Sequence, residues 1–297
     1  MTRLLITLMA LAALLGAYCQ RPPSPPGTGG TAGYGDTPVL TGGAQGTGGS
    51  VAATGGAAST GGTKVCVAVE RTSHEPRTRS VKPRVINGDD APVGAFPWVC
   101  SLQTGSGWHF CGGSLTGPQE VTTAAHCQVD PGDVVLCGRT VLSGSGGETR
   151  RVLAVRSNPG WSATTSGDDV SLLRLDAPIS TITPIELGPK GVGPVYILGW
   201  GVTESGTGAT HLQIAEATLQ SCYPYGSSID ETMLCASGVS PSGGITDGCQ
   251  GDSGGPLLQN GRVVGVTSWG NGCAQPGWPG VWTDVGAVLQ WVESCRW

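Results

Sequence analysis

The sequence predicts an all-β fold with one helix at its C-terminal end. Over the roughly 210 residues from Val85 to Trp297, short runs of Val, Ile and Leu alternate with Gly and Pro, the pattern of strands separated by turns. Helical spacing is convincing only at Val285, Val288, Leu289 and Val292. The clearest strand candidates, in order, are residues 134–136, 152–155, 195–198 and 262–266.

The N-terminal residues have a different composition. Arg3 precedes an apolar run at residues 4–17, whose length is typical of a signal peptide and too short for a membrane span. We therefore predict export, with a signal peptide at residues 1–19. Residues 20–63 are rich in Gly, Thr, Pro and Ala and lack the apolar groups that offset the entropy of ordering, so we predict a flexible spacer.

Cys19 lies where the predicted signal peptide ends, and two interpretations stay open. The position resembles the anchor of a bacterial lipoprotein, which would tether the protein to a membrane through a lipid on Cys19. Alternatively, Tyr18 replaces the small residue that such processing prefers, and ordinary cleavage occurs near Ala17. With a lipid on Cys19 the exported protein is anchored at the surface. With cleavage near Ala17 it is secreted in free form.

Charge and cysteine content exclude several function classes. The formal net charge is −5 and no basic patch is present, so nucleic acid is not expected as a partner. Eleven cysteines in an exported chain imply disulfides rather than metal ligands. His74, His109 and His211 lack metal-ligand spacing and indicate surface or strand positions. We expect no metal, no cofactor and a monomer.

Three separate segments supply the groups of a nucleophilic catalyst. Ser253 stands among glycines in GCQGDSGGP, residues 248–256. A serine hydroxyl is a poor nucleophile at neutral pH and needs a nearby base, which in turn needs an orienting group. TAAHC at residues 123–127 offers His126, and DDVSLL at residues 168–173 offers Asp168 or Asp169. The order His, Asp, Ser is one of three known solutions to this geometry.

From Val85 to Trp297 the sequence resembles the trypsin-like (chymotrypsin-family) serine proteases. The resemblance implies two packed six-stranded β-barrels with a C-terminal helix, and the activity of a serine endopeptidase. It selects Asp169 as the orienting carboxylate and implies that Asp168 is exposed. Besides the three segments above, the matching motifs are VING at residues 85–88, CGGS at 111–114, GWG at 199–201, SWG at 268–270 and PGV at 279–281.

The resemblance also implies the roles of the site residues. Ser253 attacks the substrate carbonyl, His126 accepts and returns the proton, and Asp169 fixes the imidazole. The backbone amides of Gly251 and Ser253 form the oxyanion hole. Ser268 is expected near the buried face of Asp169.

Substrate preference follows from one acidic residue. Asp247 stands six positions before Ser253, where trypsin-like members carry the acid that binds Arg or Lys of the substrate. Gly248 replaces a serine that often hydrogen-bonds lysine, so we expect arginine to be preferred, because a guanidinium reaches the carboxylate directly. Substrates are therefore proteins or peptides with Arg, or less well Lys, before the scissile bond.

The walls of this primary pocket match the family with two departures. Gly270 and Gly280 match its small wall residues, and Trp269 matches a residue of the substrate cleft. Trp282 replaces the tyrosine usually found behind the pocket. Pro279 stands where sodium-activated members carry an aromatic residue, so no sodium dependence is expected.

Residues 64–84 resemble an activation peptide. A basic stretch at residues 71–84 ends at Arg84, directly before VING. In the family, cleavage at this point frees an α-amino group, here on Val85, which pairs with the carboxylate beside the nucleophile, here Asp252, and completes the oxyanion hole. The cut is made by another protease or by the enzyme itself. The alternative is that the basic stretch is solvated spacer.

The family pattern implies the disulfides Cys111–Cys127, Cys222–Cys235 and Cys249–Cys273. It also places Cys100 and Cys137 on neighbouring strands of the first barrel, so we predict that they bond. Cys66 precedes the cleavage site as the propeptide cysteine of chymotrypsinogen does, which leaves Cys295 as its partner. A further family disulfide is absent, with Val195 and Gln259 in its places.

Two other function classes are considered. One is a catalytically silent binding module on a protease scaffold. The presence of all three triad residues argues against it. The other is a surface-tethered adhesion or structural protein, which the spacer alone suggests.

Overall fold

The computed structural model describes residues 66–71, 85–163, 165–202 and 208–297, with Arg71 described by its backbone alone. The predicted signal peptide, the spacer and most of the predicted activation peptide lie outside the described residues. Two short strands come first along the chain, β1 (Val69–Arg71) and β2 (Asp89–Asp90).

Six antiparallel strands close the first barrel. Their order is β7-β6-β3-β4-β5-β8, and β8 pairs back with β7, which closes the ring. Residues 155–157 of β7 extend past its pairing with β6. Buried aliphatic side chains such as Leu102, Leu115 and Leu173 fill its interior. The strands are β3 (Val99–Gln103), β4 (His109–Gly117), β5 (Glu120–Thr123), β6 (Val134–Cys137), β7 (Glu148–Ser157) and β8 (Ser171–Leu175).

The second barrel repeats this plan. Its closed ring is β11-β15-β14-β13-β9-β10, with β12 and β2 added outside β11 and β10. Asn260 and Gly261 both have positive φ, 50° and 74°, and form the two-residue turn between β13 and β14 that suits twisted antiparallel strands. The strands are β9 (Val195–Gly199), β10 (Gln213–Gln220), β11 (Met233–Val239), β12 (Ile245–Thr246), β13 (Pro256–Gln259), β14 (Arg262–Trp269) and β15 (Gly280–Asp284).

One α-helix ends the chain, α1 (Val285–Ser294). Asp284 caps it, because its side chain accepts a hydrogen bond from Gly286 N at 2.9 Å. Val288 and Val292 are buried against Val170 and Leu172 of the first barrel. The predicted fold class is confirmed: two closed six-stranded antiparallel barrels and a C-terminal helix. Within the part of the chain that the structure describes, no helix has the length and apolar character to cross a membrane.

Five disulfides join the same cysteine pairs that the sequence analysis names. Cys66–Cys295 connects the segment before the predicted cleavage site to the residue after α1. Beside it, β1 pairs with β7, and Arg156 Nε donates to Glu70 Oε1 at 2.8 Å. The sequence analysis did not anticipate strand β1. The pairs are Cys66–Cys295, Cys100–Cys137, Cys111–Cys127, Cys222–Cys235 and Cys249–Cys273.

Gln259 replaces part of the missing family disulfide with hydrogen bonds. Its side chain is only 2% exposed, its Oε1 accepts from Gly191 N at 2.6 Å, and its Nε2 donates to Gly193 O at 3.0 Å. The amide therefore holds the connection between the barrels to β13.

We expect Gln259→Ala to lower the free energy of unfolding by about 2–3 kcal/mol, because it removes both bonds and leaves a cavity. Urea denaturation measures this, in a Ser253→Ala background that prevents self-digestion. Gln220→Ala is the control, since that exposed amide bonds only to Ser237. Equal losses in the two variants would contradict the clamping role.

Candidate active site

His126 lies in a single 3₁₀ turn, Ala125–Cys127, that follows β5. Its Nδ1 lies 2.6 Å from Asp169 Oδ2, and its backbone amide donates to Asp169 Oδ1 at 2.8 Å. A carboxylate oxygen accepts, so Nδ1 carries the hydrogen. That tautomer leaves Nε2 with a free lone pair, which is what a general base requires.

The disulfide Cys111–Cys127 anchors this turn to β4. It also accounts for a cluster in which potential ligand atoms of Cys111, His126 and Cys127 lie within 4.8 Å of one another. Both sulfurs belong to the disulfide and are not thiolates, the form in which cysteine binds metal. These atoms therefore lie together because the disulfide anchors the turn that carries His126.

Asp169 lies just before β8 and is 1% exposed. Besides the two groups of His126, Ser268 Oγ donates to its Oδ2 at 2.5 Å. Three donors thus replace the water that burial removes, so the hydrogen-bonding capacity of the buried carboxylate is met. The structure brings Ser268 to the position that the sequence analysis expected.

Asp168, the competing carboxylate, does not contact His126. Its Oδ1 accepts from Asn158 Nδ2 at 3.1 Å, and its amide donates to Thr232 Oγ1 at 2.8 Å. The expectation that Asp168 is exposed was wrong, because these contacts leave it half-buried. Burial, and then the charge of Asp230, raise the pKa of the Asp168 carboxyl.

Ser253 lines the same pocket as His126. Gly112 N donates to Ser253 O at 2.8 Å, so the segment with Ser253 packs on β4, the strand to which Cys111–Cys127 anchors the histidine turn. Gly254 has a φ of 76°, and a Cβ there would lie 2.1 Å from Thr123 Oγ1. Only glycine allows this close approach.

The backbone around Ser253 leaves two amides available. Asp252 N donates to Cys249 O and Gly254 N to Thr267 O. Within the described part of the chain, no hydrogen bond uses the amides of Gly251 or Ser253. Gly251 reaches this arrangement with a φ of 93°, which favours glycine. Two free amides beside a nucleophile can stabilise an oxyanion.

His109 supports the oxyanion segment, that is, residues 251–253 with the two free amides, and this role was not predicted from the sequence. The residue lies in β4 and is buried; its Nε2 is 3.0 Å from Gly251 O and its Nδ1 is 2.7 Å from Ser101 Oγ. A carbonyl accepts, so Nε2 carries the hydrogen and Nδ1 accepts from the serine. Burial lowers the pKa of His109 to about 4, so the ring stays neutral in this bridge.

Asp247 places a buried carboxylate in the pocket that contains Ser253. Its Oδ2 accepts from Ala274 N at 2.9 Å, whereas its Oδ1 is buried without a hydrogen-bond partner. Burial raises the pKa of Asp247 to about 6. An unpaired buried acceptor is costly, so the pocket favours a ligand that donates hydrogen bonds and carries positive charge.

Gly280 leaves room beside this carboxylate. A Cβ at Gly280 would lie 2.4 Å from Asp247 Oδ1 and 2.7 Å from the Trp282 ring. Trp282 is itself buried, with Nε1 donating to Thr267 Oγ1 at 3.1 Å. The pocket retains a volume of about 290 Å³ despite the larger ring. Gly270 and Trp269 also line it.

Tyr225 braces the pocket and was also missed. Its hydroxyl donates to Pro279 O at 2.6 Å and accepts from Asn271 N at 3.2 Å, which links the two chain segments on either side of the pocket. Its ring packs edge-on against Trp269, with centroids 4.9 Å apart. No motif marks Tyr225, because it acts through backbone groups that any residue supplies.

Asp252 is fully buried, and its carboxylate accepts from Gly201 N at 2.6 Å and Cys249 N at 2.9 Å. Burial raises the pKa of Asp252 to about 8. Val85 is also fully buried, in the core of the second barrel, and the next amide, Ile86 N, donates to Asp247 O at 3.0 Å. The residue that follows Arg84 is thus part of the interior.

Comparisons with known proteins agree with this geometry. The family model described as Trypsin matches residues 85–292. A trypsin of Saccharopolyspora erythraea is 46% identical over 217 residues, which cover 68% of this chain and 94% of that protein. Trypsin alpha-4 of Lucilia cuprina is 39% identical over 228 residues, which cover 71% of this chain and 87% of that protein. The chain belongs to the trypsin family of serine endopeptidases.

Proposed function

We propose that this endopeptidase cleaves peptide bonds after arginine, and less well after lysine, through the triad His126, Asp169 and Ser253. One observation carries the proposal. A single pocket contains the Ser253 side chain, the imidazole that Asp169 holds, and the buried Asp247 carboxylate with one unpartnered oxygen. The silent-module alternative is not favoured, because every group that the chemistry needs is present.

The reaction proceeds in two halves. Ser253 Oγ attacks the carbonyl carbon while His126 Nε2 takes its proton, and the imidazolium then protonates the departing amine. Water then attacks the resulting ester while His126 Nε2 takes its proton. The imidazolium gives that proton to Ser253 Oγ as the carboxylic acid product leaves. Asp169 stabilises the imidazolium in both halves without becoming protonated. The amides of Gly251 and Ser253 bind the oxyanion of each tetrahedral intermediate.

Asp247 sets the preference for a basic side chain. A guanidinium supplies donors in a planar fork, which matches the free Oδ1 and its neighbour Oδ2. Lysine supplies a shorter, single ammonium, and Gly248 offers no hydroxyl to bridge the remaining gap. Arginine is therefore the better substrate residue.

Activation follows cleavage after Arg84. Asp252 is buried, and within the described residues its carboxylate bonds only to the backbone amides of Gly201 and Cys249, so no counter-charge faces it there. The new ammonium group on Val85 supplies one, and the pair stabilises the oxyanion segment beside it. Arg84 is the residue type that Asp247 selects, so the enzyme can activate its own precursor as well as be cut by another protease.

The protein is exported and acts as a secreted or surface-tethered enzyme. Five disulfides support this, because such bonds persist in oxidising compartments. A lipid on Cys19 would hold it at a membrane; free cleavage near Ala17 would release it.

We expect the uncut protein to hydrolyse an arginyl chromogenic peptide roughly 10²–10³-fold more slowly than the cut form, because without the new ammonium group nothing neutralises Asp252 and holds the amides beside it in place. Removing one oxyanion donor causes a loss of this size. The full chain is nicked with immobilised trypsin, which is then filtered off, and the new N-terminus is sequenced. The expected sequence is Val-Ile-Asn-Gly. Arg84→Gln is the control and should stay inactive after the same treatment; full activity of uncut Arg84→Gln would disprove the activation scheme.

A further inference from the structure

Asp169 is the middle residue of a very tight turn. Val170 N donates to Asp168 O at 2.8 Å, which closes a three-residue γ-turn. Asp168 has a φ of 57°, in the left-handed region that residues other than glycine seldom adopt. This turn is therefore held in place by its surroundings rather than by its own preference.

Three hydrogen bonds from outside hold the turn. Asn158 N donates to Val170 O at 3.0 Å, from the end of β7. Asp168 N donates to Thr232 Oγ1 at 2.8 Å, and Thr283 Oγ1 donates to Asp169 O at 2.8 Å. Thr232 and Thr283 both belong to the second barrel, whereas Asp169 belongs to the first.

Thr283 is a rigid support. It lies in β15 between β11 and β14, paired with Met233 and Val266, and is 1% exposed. β-branching restricts the χ1 angle of Thr283, and the hydrogen bond to Asp169 O sets the direction of its hydroxyl. Asp169 is then held at both ends, by Ser268 at the carboxylate and by Thr283 at the backbone carbonyl.

We propose that Thr283 is a positioning residue for the general base His126, acting through the backbone of Asp169. Thr283 touches neither substrate nor reacting atoms. The hydrogen bond from its hydroxyl to Asp169 O fixes the position of the Asp169 turn relative to the second barrel, which carries Ser253. The proposal rests on the proposed triad, because it assigns to Thr283 the alignment of that triad across the two barrels.

The expected effect is on the chemical step. A displacement of about 1 Å in a catalytic group can lower the rate about 100-fold, and a partial loss of alignment lowers it less. We therefore expect Thr283→Val, which removes the hydroxyl and keeps the shape, to lower kcat about 10-fold with KM for an arginyl peptide within twofold. Thr283→Ser restores the donor and should return kcat to within about twofold of the parent.

The measurement uses the activated full chain and active-site titration. A second readout is the proton NMR signal of the His126 Nδ1 hydrogen, which should shift in Thr283→Val and stay in place in Thr283→Ser. Thr116→Val is the matched control: Thr116 is a buried threonine of the first barrel whose hydroxyl bonds to Glu120 and Thr122 rather than to a triad residue. Its kcat should not change.

If Thr283→Val does not fold, Thr283→Ala takes its place beside Thr283→Ser, because these two side chains differ only in the hydroxyl, and the same contrast in kcat is expected. The proposal is overturned if the Thr283 variant without the hydroxyl keeps the parent's kcat, if Thr283→Ser is as impaired as that variant, or if only KM rises. Failure of the triad itself is a separate result, which Asp169→Asn with undiminished kcat would reveal.

Discussion

Replacing Ser253 by alanine should lower kcat for an arginyl peptide by on the order of 10⁶-fold, the loss measured for the same change in an unrelated serine protease. The hydroxyl is the only group removed, and its oxygen is the atom that forms the covalent intermediate. KM should change by no more than a few-fold, because the pocket with Asp247 is untouched. The fold should be unchanged, since the side chain lines an open pocket.

Losses of activity within the triad should not add. His126→Ala and the double variant Ser253→Ala/His126→Ala should both be about as slow as Ser253→Ala alone, because a base without its nucleophile has nothing to deprotonate. A residual acceleration of about 10³–10⁴ over water should remain from the oxyanion amides and the pocket. Activity that survives Ser253→Ala, after trace host proteases are removed, would rule against the mechanism.

The parts of the site that could be predicted from the sequence share one property. Each lies in a short contiguous segment whose residue types the chemistry requires, as with Ser253 among its glycines or His126 beside Cys127. The strands at residues 134–136, 152–155, 195–198 and 262–266 were predictable for a similar reason. Burial on a pleated strand selects Val, Ile and Leu locally, and all four lie in strands of the structure.

The parts that could not be predicted depend on partners far apart in the chain. Thr283 and Asp169 are 114 positions apart, and Gly251 and His109 are 142 apart. Each bond ends on a backbone carbonyl, which every residue has, so sequence pattern carries no trace of it. Strand β1 is similar: its three residues form a strand because β7 offers an open edge there, beside the disulfide of Cys66.

Replacing Asp247 by serine should lower kcat/KM for arginyl peptides by about 10²–10⁴-fold, because a guanidinium buried without its charge partner loses about 3–5 kcal/mol. Peptides that vary the residue before the scissile bond should show arginine losing its advantage over uncharged residues. Glu186→Gln removes an exposed acid that pairs with Arg262 and serves as the control. An arginine preference that persists in Asp247→Ser would refute the pocket assignment.

Acid should weaken the same contact. Burial raises the pKa of Asp247 to about 6, so below that pH the free enzyme holds the carboxyl protonated, without the charge that attracts a cation. Binding of the arylamidine benzamidine should therefore weaken about tenfold for each pH unit below 6 and stay constant between pH 7 and 8. Measuring this by calorimetry in the Ser253→Ala protein avoids any contribution from turnover. Asp247→Ser supplies the decisive comparison: a pH dependence that remains after the carboxyl is removed belongs to another group.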